Sequence, residues 1–181
     1  MPASPPFPFA QPERGVPSAL ALILAADALL ANHDFSRPVE ALLDESAHLA
    51  TAFLLLAALP VPRSCPFVLG VALAAIGIDS DHVPGEFGWD IITRGTARPV
   101  THSLATCAAL LLLSRALPAP GRMVIVGAVC GVLAHFVRDL GTGGLPLLWP
   151  VSKRCVRVPY ATYLAILGVA GGRMWWRARS R

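Results

Sequence analysis

Six apolar blocks, at residues 16–31, 42–59, 65–78, 100–117, 122–137 and 158–176, take up most of a 181-residue chain. They are rich in Ala, Leu and Val and show no period of two, so they read as helices rather than strands. A backbone inside lipid must bond to itself, and a helix does so within one segment. Hydrophobic residues are 55% of the chain and charged ones 14%, well below the roughly one quarter charged residues of a soluble domain. An ordinary water-soluble globule is excluded. The expected fold class is all-α: an integral membrane helical bundle of about six transmembrane helices. Residues 16–176 are expected to form one domain, between a disordered Pro-rich tail at 1–15 and a basic tail at 177–181. Several blocks fall short of the ~20 residues that cross a hydrocarbon core, so tilt, local thinning or polar helix ends must make up the difference. Pro60, Pro62, Pro66, Pro118 and Pro120 mark the short turns, and the longer connections 79–99 and 138–157 hold most of the unusual residues.

The formal charge of +4 is modest, and its basic residues lie between blocks or at the C-terminus. They read as topology signals and lipid-headgroup contacts, not as a nucleic-acid surface. The partner implied is the lipid bilayer, and the expected location is the inner or plasma membrane. Cys65, Cys107, Cys130 and Cys155 have no C-x-x-C spacing, which argues against a zinc ribbon or a thioredoxin-type site. Cys107 and Cys130 lie within apolar runs as small hydrophobes. The opening "MPASPPFPFAQPERG" lacks the basic n-region of a signal peptide.

Polar residues gather at the block ends. Block 1 carries Asp27 and leads into His33 and Asp34. Block 2 opens with Asp44, Glu45 and His48. Block 3 ends in Asp79, Asp81 and His82, block 4 opens with Arg98 and His102, and block 5 ends in His135, Arg138 and Asp139. Threading six spanning helices brings all these ends to one membrane face, with all five histidines and ten of eleven acidic residues on that side. Asp44 and His48 are four apart, as are His135 and Asp139, so each pair shares a helix face. In a soluble helix a lone histidine such as His48 is an ordinary core residue. Inside a span an ionisable group is functional by default. Asp27 and the His33–Asp34 pair read at least as readily as a helix-end snorkel or cap as they do as site residues. Histidine with carboxylate, pointing inward from neighbouring helices, builds a metal site. Neutral imidazole and carboxylate oxygen suit Zn, Mn or Fe(II). "GTGG" at 141–144 lacks a P-loop's lysine and reads as a turn that lets backbone approach the site. Trp175 and Trp176 beside arginines form an interfacial anchor.

At these residues the chain resembles the membrane-bound metal-dependent hydrolases of the YdjM/YbcI type. The matching segments are "GIDSDH" (77–82), "ARPVTHS" (97–103), "HFVRDLGTGGLPLLWP" (135–150) and "KRCVRVP" (153–159). The resemblance runs from about residue 44 to 159, and the late segment is its most specific part. It implies a divalent-metal centre using Asp79, Asp81, His82, His102, His135 and Asp139, with His48 joining them, and it implies hydrolysis. The family's first histidine in the "HRGxTHS" segment is Ala97 here, and its glycine is Pro99.

Taken together, these residues point to metal-assisted hydrolysis at the membrane surface. The ion would lower the pKa of its water and polarise the scissile oxygen. Asp44 or Glu45 is the expected general base, and His48 the ligand or proton shuttle. Arg98 and Arg138 are expected to steady negative charge on a phosphoryl or carboxyl group. Lys153, Arg154 and Arg157 are expected to meet an anionic headgroup. A lipid or lipid-linked phosphoester is the substrate suggested by a site at headgroup depth. Two alternatives stay open: a non-enzymatic membrane protein with a His/Asp ion or proton site, and a catalytically degenerate relative. Counting basic residues with the N-terminus inside gives eight on the cytoplasmic side (Arg14, Arg63, Arg115, Arg122 and four C-terminal arginines) and six on the other, which places the site on the outer face.

Overall fold

The structure is a computed structural model that describes residues 12–61, 64–89, 93, 96 and 98–180. Its six long helices are α1 (Val16–Asn32), α2 (Arg37–Ala58), α3 (Cys65–Gly77), α4 (Leu104–Arg115), α5 (Ala119–Thr142) and α6 (Tyr160–Arg179). Four of them begin with proline in the first turn, where the missing N–H has no partner to lose. Among the described residues, four helical stretches are long and apolar enough to cross a membrane: Glu13–Asn32, Arg37–Ala58, Cys65–Gly85 and Ala119–Thr142. The expectation of six crossings is thus met in helix number but not in length and composition. α4 has 12 residues and spans about 18 Å, short of a core of about 30 Å. It starts at Leu104 rather than at 100 because Val100–Ser103 form a turn whose His102 and Ser103 are buried. α6 is long enough, but Arg173, Arg177 and Arg179 interrupt its apolar run.

Other boundaries move too. α2 begins at Arg37, so Asp44 and Glu45 lie inside the helix. α5 continues to Thr142, so Arg138 and Asp139 are helical rather than part of a connection. Of the tail expected at 1–15, residues 1–11 lie outside the described residues. Pro12–Gly15 form a 3-10 turn leading into α1, with Gly15 facing the Phe53 ring. Of the basic tail expected at 177–181, Arg177 and Arg179 belong to α6, and Arg177 donates to the Ala58 carbonyl at 3.0 Å. The Arg179 guanidinium lies 3.3 Å over the Trp175 ring, and both Trp175 and Trp176 are exposed, as an interfacial anchor requires.

Three apolar cores hold the bundle: one among α1, α2 and α6 around Ile23, Leu54 and Leu167; one among α2, α3 and α5 around Phe67 and Ala134; and one between α4 and α5 around Phe136 and Leu145. Outward-facing leucines such as Leu22, Leu69, Leu73 and Leu112 are exposed, which suits helices whose solvent is lipid.

The contact that positions the site is the parallel packing of α3 on α5. A Cβ added at Gly127 would lie 2.1 Å from the Phe67 carbonyl oxygen, and one at Gly131 would lie 2.4 Å from that of Val71. Only glycine lets the two backbones come this close. Both helices step by four residues along the seam: 127, 131, 135 and 139 on one side, and 67, 71, 75 and 79 on the other. One turn beyond the glycines, His135 therefore meets Ala75, and Asp79 arrives beside His135 and Asp139.

Candidate metal centre

α2, α5 and two connections each contribute to one cluster. From α2, Asp44 and His48 point the same way, as their spacing requires, and His48 is fully buried. From α5 come His135 and Asp139, both buried. Asp79, Asp81 and His82 sit on the 3-10 turn Ile78–His82 that follows α3. His102 sits in the turn before α4, which is anchored where the Leu104 N–H donates to the Leu147 carbonyl at 3.0 Å.

Asp79 is the hub. Its carboxylate oxygens lie 3.0 Å from His102 Nε2, 3.4 Å from His135 Nε2, 3.6 Å from His82 Nε2 and 4.0 Å from His48 Nε2. Asp139 lies opposite, 3.3 Å from His135 Nε2, 3.6 Å from His48 Nε2 and 3.8 Å from His102 Nε2. The His48 and His135 rings stack, with centroids 3.6 Å apart and planes within 5°. Such spacings match the ligand edges of about 3.4 Å around a tetrahedral ion with ligands near 2.1 Å. Among the described residues, three groups bring their ligand atoms within 4.8 Å of one another: Asp79, Asp81, His82 and His102; His48, His135 and Asp139; and Asp44, His48 and Asp79. Asp79 and His48 each belong to two groups, so the array can hold one ion or two sharing ligands.

The donor set fits a divalent cation on a second ground. His48 Nε2 and His135 Nε2 are buried and make no hydrogen bond, although both face carboxylates. A buried polar atom left unbonded costs free energy, and a divalent cation held at both Nε2 atoms would remove that cost. His135 is also oriented like a ligand. Its Nδ1 is 2.8 Å from the Ala75 carbonyl oxygen, which makes Nδ1 the donor and turns Nε2 toward Asp79 and Asp139. For His102, burial pulls the pKa down, but Asp79 and Asp81 outweigh it and raise the pKa above the ordinary imidazole value.

Every sequence-predicted site residue among the described residues lies in or beside this cluster. Asp81 accepts from Thr101 and stands 3.1 Å from His102 Nδ1. His82 is at the exposed rim. Glu45 lies beside Asp79, and its Oε2 is buried with no hydrogen-bond partner. Arg98 donates to Asp139 at 2.7 Å and lies against Gly143, where a Cβ would come within 2.4 Å of its guanidinium. The glycine turn thus admits Arg98, and Gly144, at φ +91°, reverses the chain after α5. Ala97 lies outside the described residues. His33 and Asp34 stay apart: both are exposed, and the His33 ring is 5.8 Å from that of Phe35.

Arg138 is bound differently from what its expected contact with substrate would suggest. It is almost fully buried, with Nη1 donating to Asp27 and Nη2 to Asp44 at 2.6 Å. Neighbours on a helix point about 100° apart, so Asp139 enters the histidine cluster while Arg138 turns to α1 and α2. Asp27 also accepts from the Tyr160 hydroxyl at 2.6 Å. Sequence reasoning missed Tyr160 and Thr101, and it does not separate a site role for Asp27 from a helix-end snorkel or cap. The available signal was the presence of Asp27 inside an apolar span, where a carboxylate needs a cationic partner.

Fold and site together define an integral membrane helical protein with a buried histidine–aspartate centre near one end of the bundle. The chain belongs to the YdjM inner membrane protein family, whose model matches residues 44–180. With four apolar helices able to span a bilayer, it is an integral inner-membrane protein. No curated protein and no solved structure matched it.

Proposed function

We propose that this protein is a membrane-embedded, metal-dependent hydrolase acting in the headgroup layer on a lipid or lipid-linked phosphoester. The observation that carries this reading is the pair of buried, unbonded Nε2 atoms of His48 and His135 facing the carboxylates of Asp79 and Asp139. His48, His102, His135, Asp79 and Asp139 would hold a divalent ion (Zn, Mn or Fe), with Asp81 and His82 at the open rim. Such an ion supplies Lewis acidity and a water acidified toward neutral pH.

The chain's own residues do the rest. Glu45, with its unpartnered Oε2 beside Asp79, takes the proton from the attacking water as general base. Arg98 steadies negative charge on the reacting group. Asp44 is held by Arg138 and lies 3.6 Å from His48 Nε2. Arg138 is therefore a positioning residue in this reading, holding the Asp44 carboxylate beside His48 Nε2. All six helices cross the bilayer in this arrangement, α4 through a locally thinned region, with the centre on the outer face. Metal analysis of purified protein beside a His135→Ala variant tests the reading. The variant is expected to lose most of the metal, and equal metal in both proteins overturns the proposal.

A further inference from the structure

A cavity of about 670 Å³ lies on the side of the cluster nearest α1 and α6, and its wall includes Asp44 and Arg98. Both residues also touch the centre, through His48 and Asp139 respectively. The inner wall of the cavity is thus the outer wall of the histidine–aspartate array. Three guanidiniums, Arg98, Arg138 and Arg157, face two carboxylates, Asp27 and Asp44. Arg138 is consumed by those two carboxylates. Arg157 is exposed, and among the described residues its one hydrogen bond is a 3.4 Å contact to the Thr142 carbonyl. Among the described residues no carboxylate pairs with it. Beside Asp27, α1 lines the cavity with the apolar Leu24, Ala28 and Ala31, and Leu24 is exposed.

The geometry points to this cavity as the binding subsite for a phosphate-class anion carried on an amphiphile. Arg157 and Arg98 contact the anion, and the α1 wall contacts the adjoining apolar part. A guanidinium fork suits phosphate oxygens bidentately, and the pocket places that group within reach of the neighbouring centre. The substrate class is therefore a phosphate-bearing lipid rather than a neutral ester. Its cleavage rests on the hydrolase reading above, whereas the anion contacts do not.

The test is calorimetric titration of the purified full-length protein in a nonionic detergent with two probes. One is inorganic phosphate, and the other is a short-chain phosphonate analogue of phosphatidic acid, which resists hydrolysis. Metal content is measured on every sample. Wild type is expected to bind the phosphonate, and Arg157→Glu to weaken that binding at least tenfold with metal content unchanged. Arg157→Lys, which keeps the charge, should lose far less and guards against a folding defect in the first variant. If Ala28→Trp abolishes phosphonate binding but spares inorganic phosphate, the headgroup is the source. Equal binding of both probes, lost together in Arg157→Glu, assigns the subsite to free phosphate. Wild type that binds neither probe, or an Arg157→Glu variant that binds like wild type, overturns the inference. Arg157-dependent binding in a wild type that holds no metal would sink the hydrolase reading while leaving the anion subsite standing.

Discussion

Replacing Gly131 with alanine should empty the centre without touching a single ligand. The added methyl would sit 2.4 Å from the Val71 carbonyl oxygen, whereas carbon and carbonyl oxygen approach to about 3.3 Å, so α3 and α5 must part by roughly 0.9 Å. The His135 Nδ1 contact to the Ala75 oxygen, 2.8 Å in the native seam, then opens to about 3.7 Å and is no longer a hydrogen bond. His135 loses its orienting partner, and Asp79 moves away with α3. Loss of such an orienting contact typically weakens metal binding about 10- to 100-fold, beside an overpacking cost of about 1–3 kcal/mol in stability. The assay is metal retained per protein after dialysis against a weak competing chelator, on material that elutes as a single species. Gly168→Ala is the control, since a Cβ there meets nothing within 4 Å. Equal retention in wild type and Gly131→Ala would refute the idea that the glycine seam sets the ligand geometry.

Arg138→Met leaves Asp27 and Asp44 without their shared cation. Breaking a buried pair this way costs about 3–5 kcal/mol, and the lower end is expected because the Asp44 side chain is 40% exposed. Thermal unfolding in detergent measures the cost, and a loss below about 1 kcal/mol, the range of exposed pairs, would contradict the assignment. In the metal-free protein a proton on His102 competes with the ion, and Asp79 and Asp81 hold that proton more tightly than water does. Metal retention should therefore fall as pH falls, starting above the ordinary imidazole value of about 6.5; retention that stays flat down to about pH 5 would count against His102 as a ligand. In a cysteine-free background, Gly88→Cys should react with an impermeant reagent from outside the cell and Ala119→Cys should not. The reverse pattern would invert the orientation.

The helices were legible because lipid demands long apolar segments, and six blocks became six helices. Their ends were not. Val100 reads as the start of an apolar run, yet His102 is drawn into the centre, the Ser103 hydroxyl donates to the Val100 carbonyl, and the helix begins at Leu104. Arg138 and Asp139 read as a connection because they are charged, yet Arg138 finds Asp44 on α2 and Asp139 finds Arg98, and α5 continues through both. The histidine–aspartate set was visible in i, i+4 spacing and in the common face of the block ends. The Asp27–Arg138–Tyr160 link was not, since its members lie 111 and 133 residues apart and no local period joins them. The matched four-residue steps along α3 and α5 were present in the sequence all along. Gly127 and Gly131 become informative once they are seen to share a stripe with His135 and Asp139.

X-ray absorption at the metal edge of the purified protein bears most directly on the centre itself. The account predicts a divalent ion bound only by nitrogen and oxygen at about 2.0–2.2 Å, with the outer-shell scattering of at least two imidazoles that weakens in His135→Ala. A spectrum with sulfur ligands, or imidazole scattering unchanged in that variant, would contradict it.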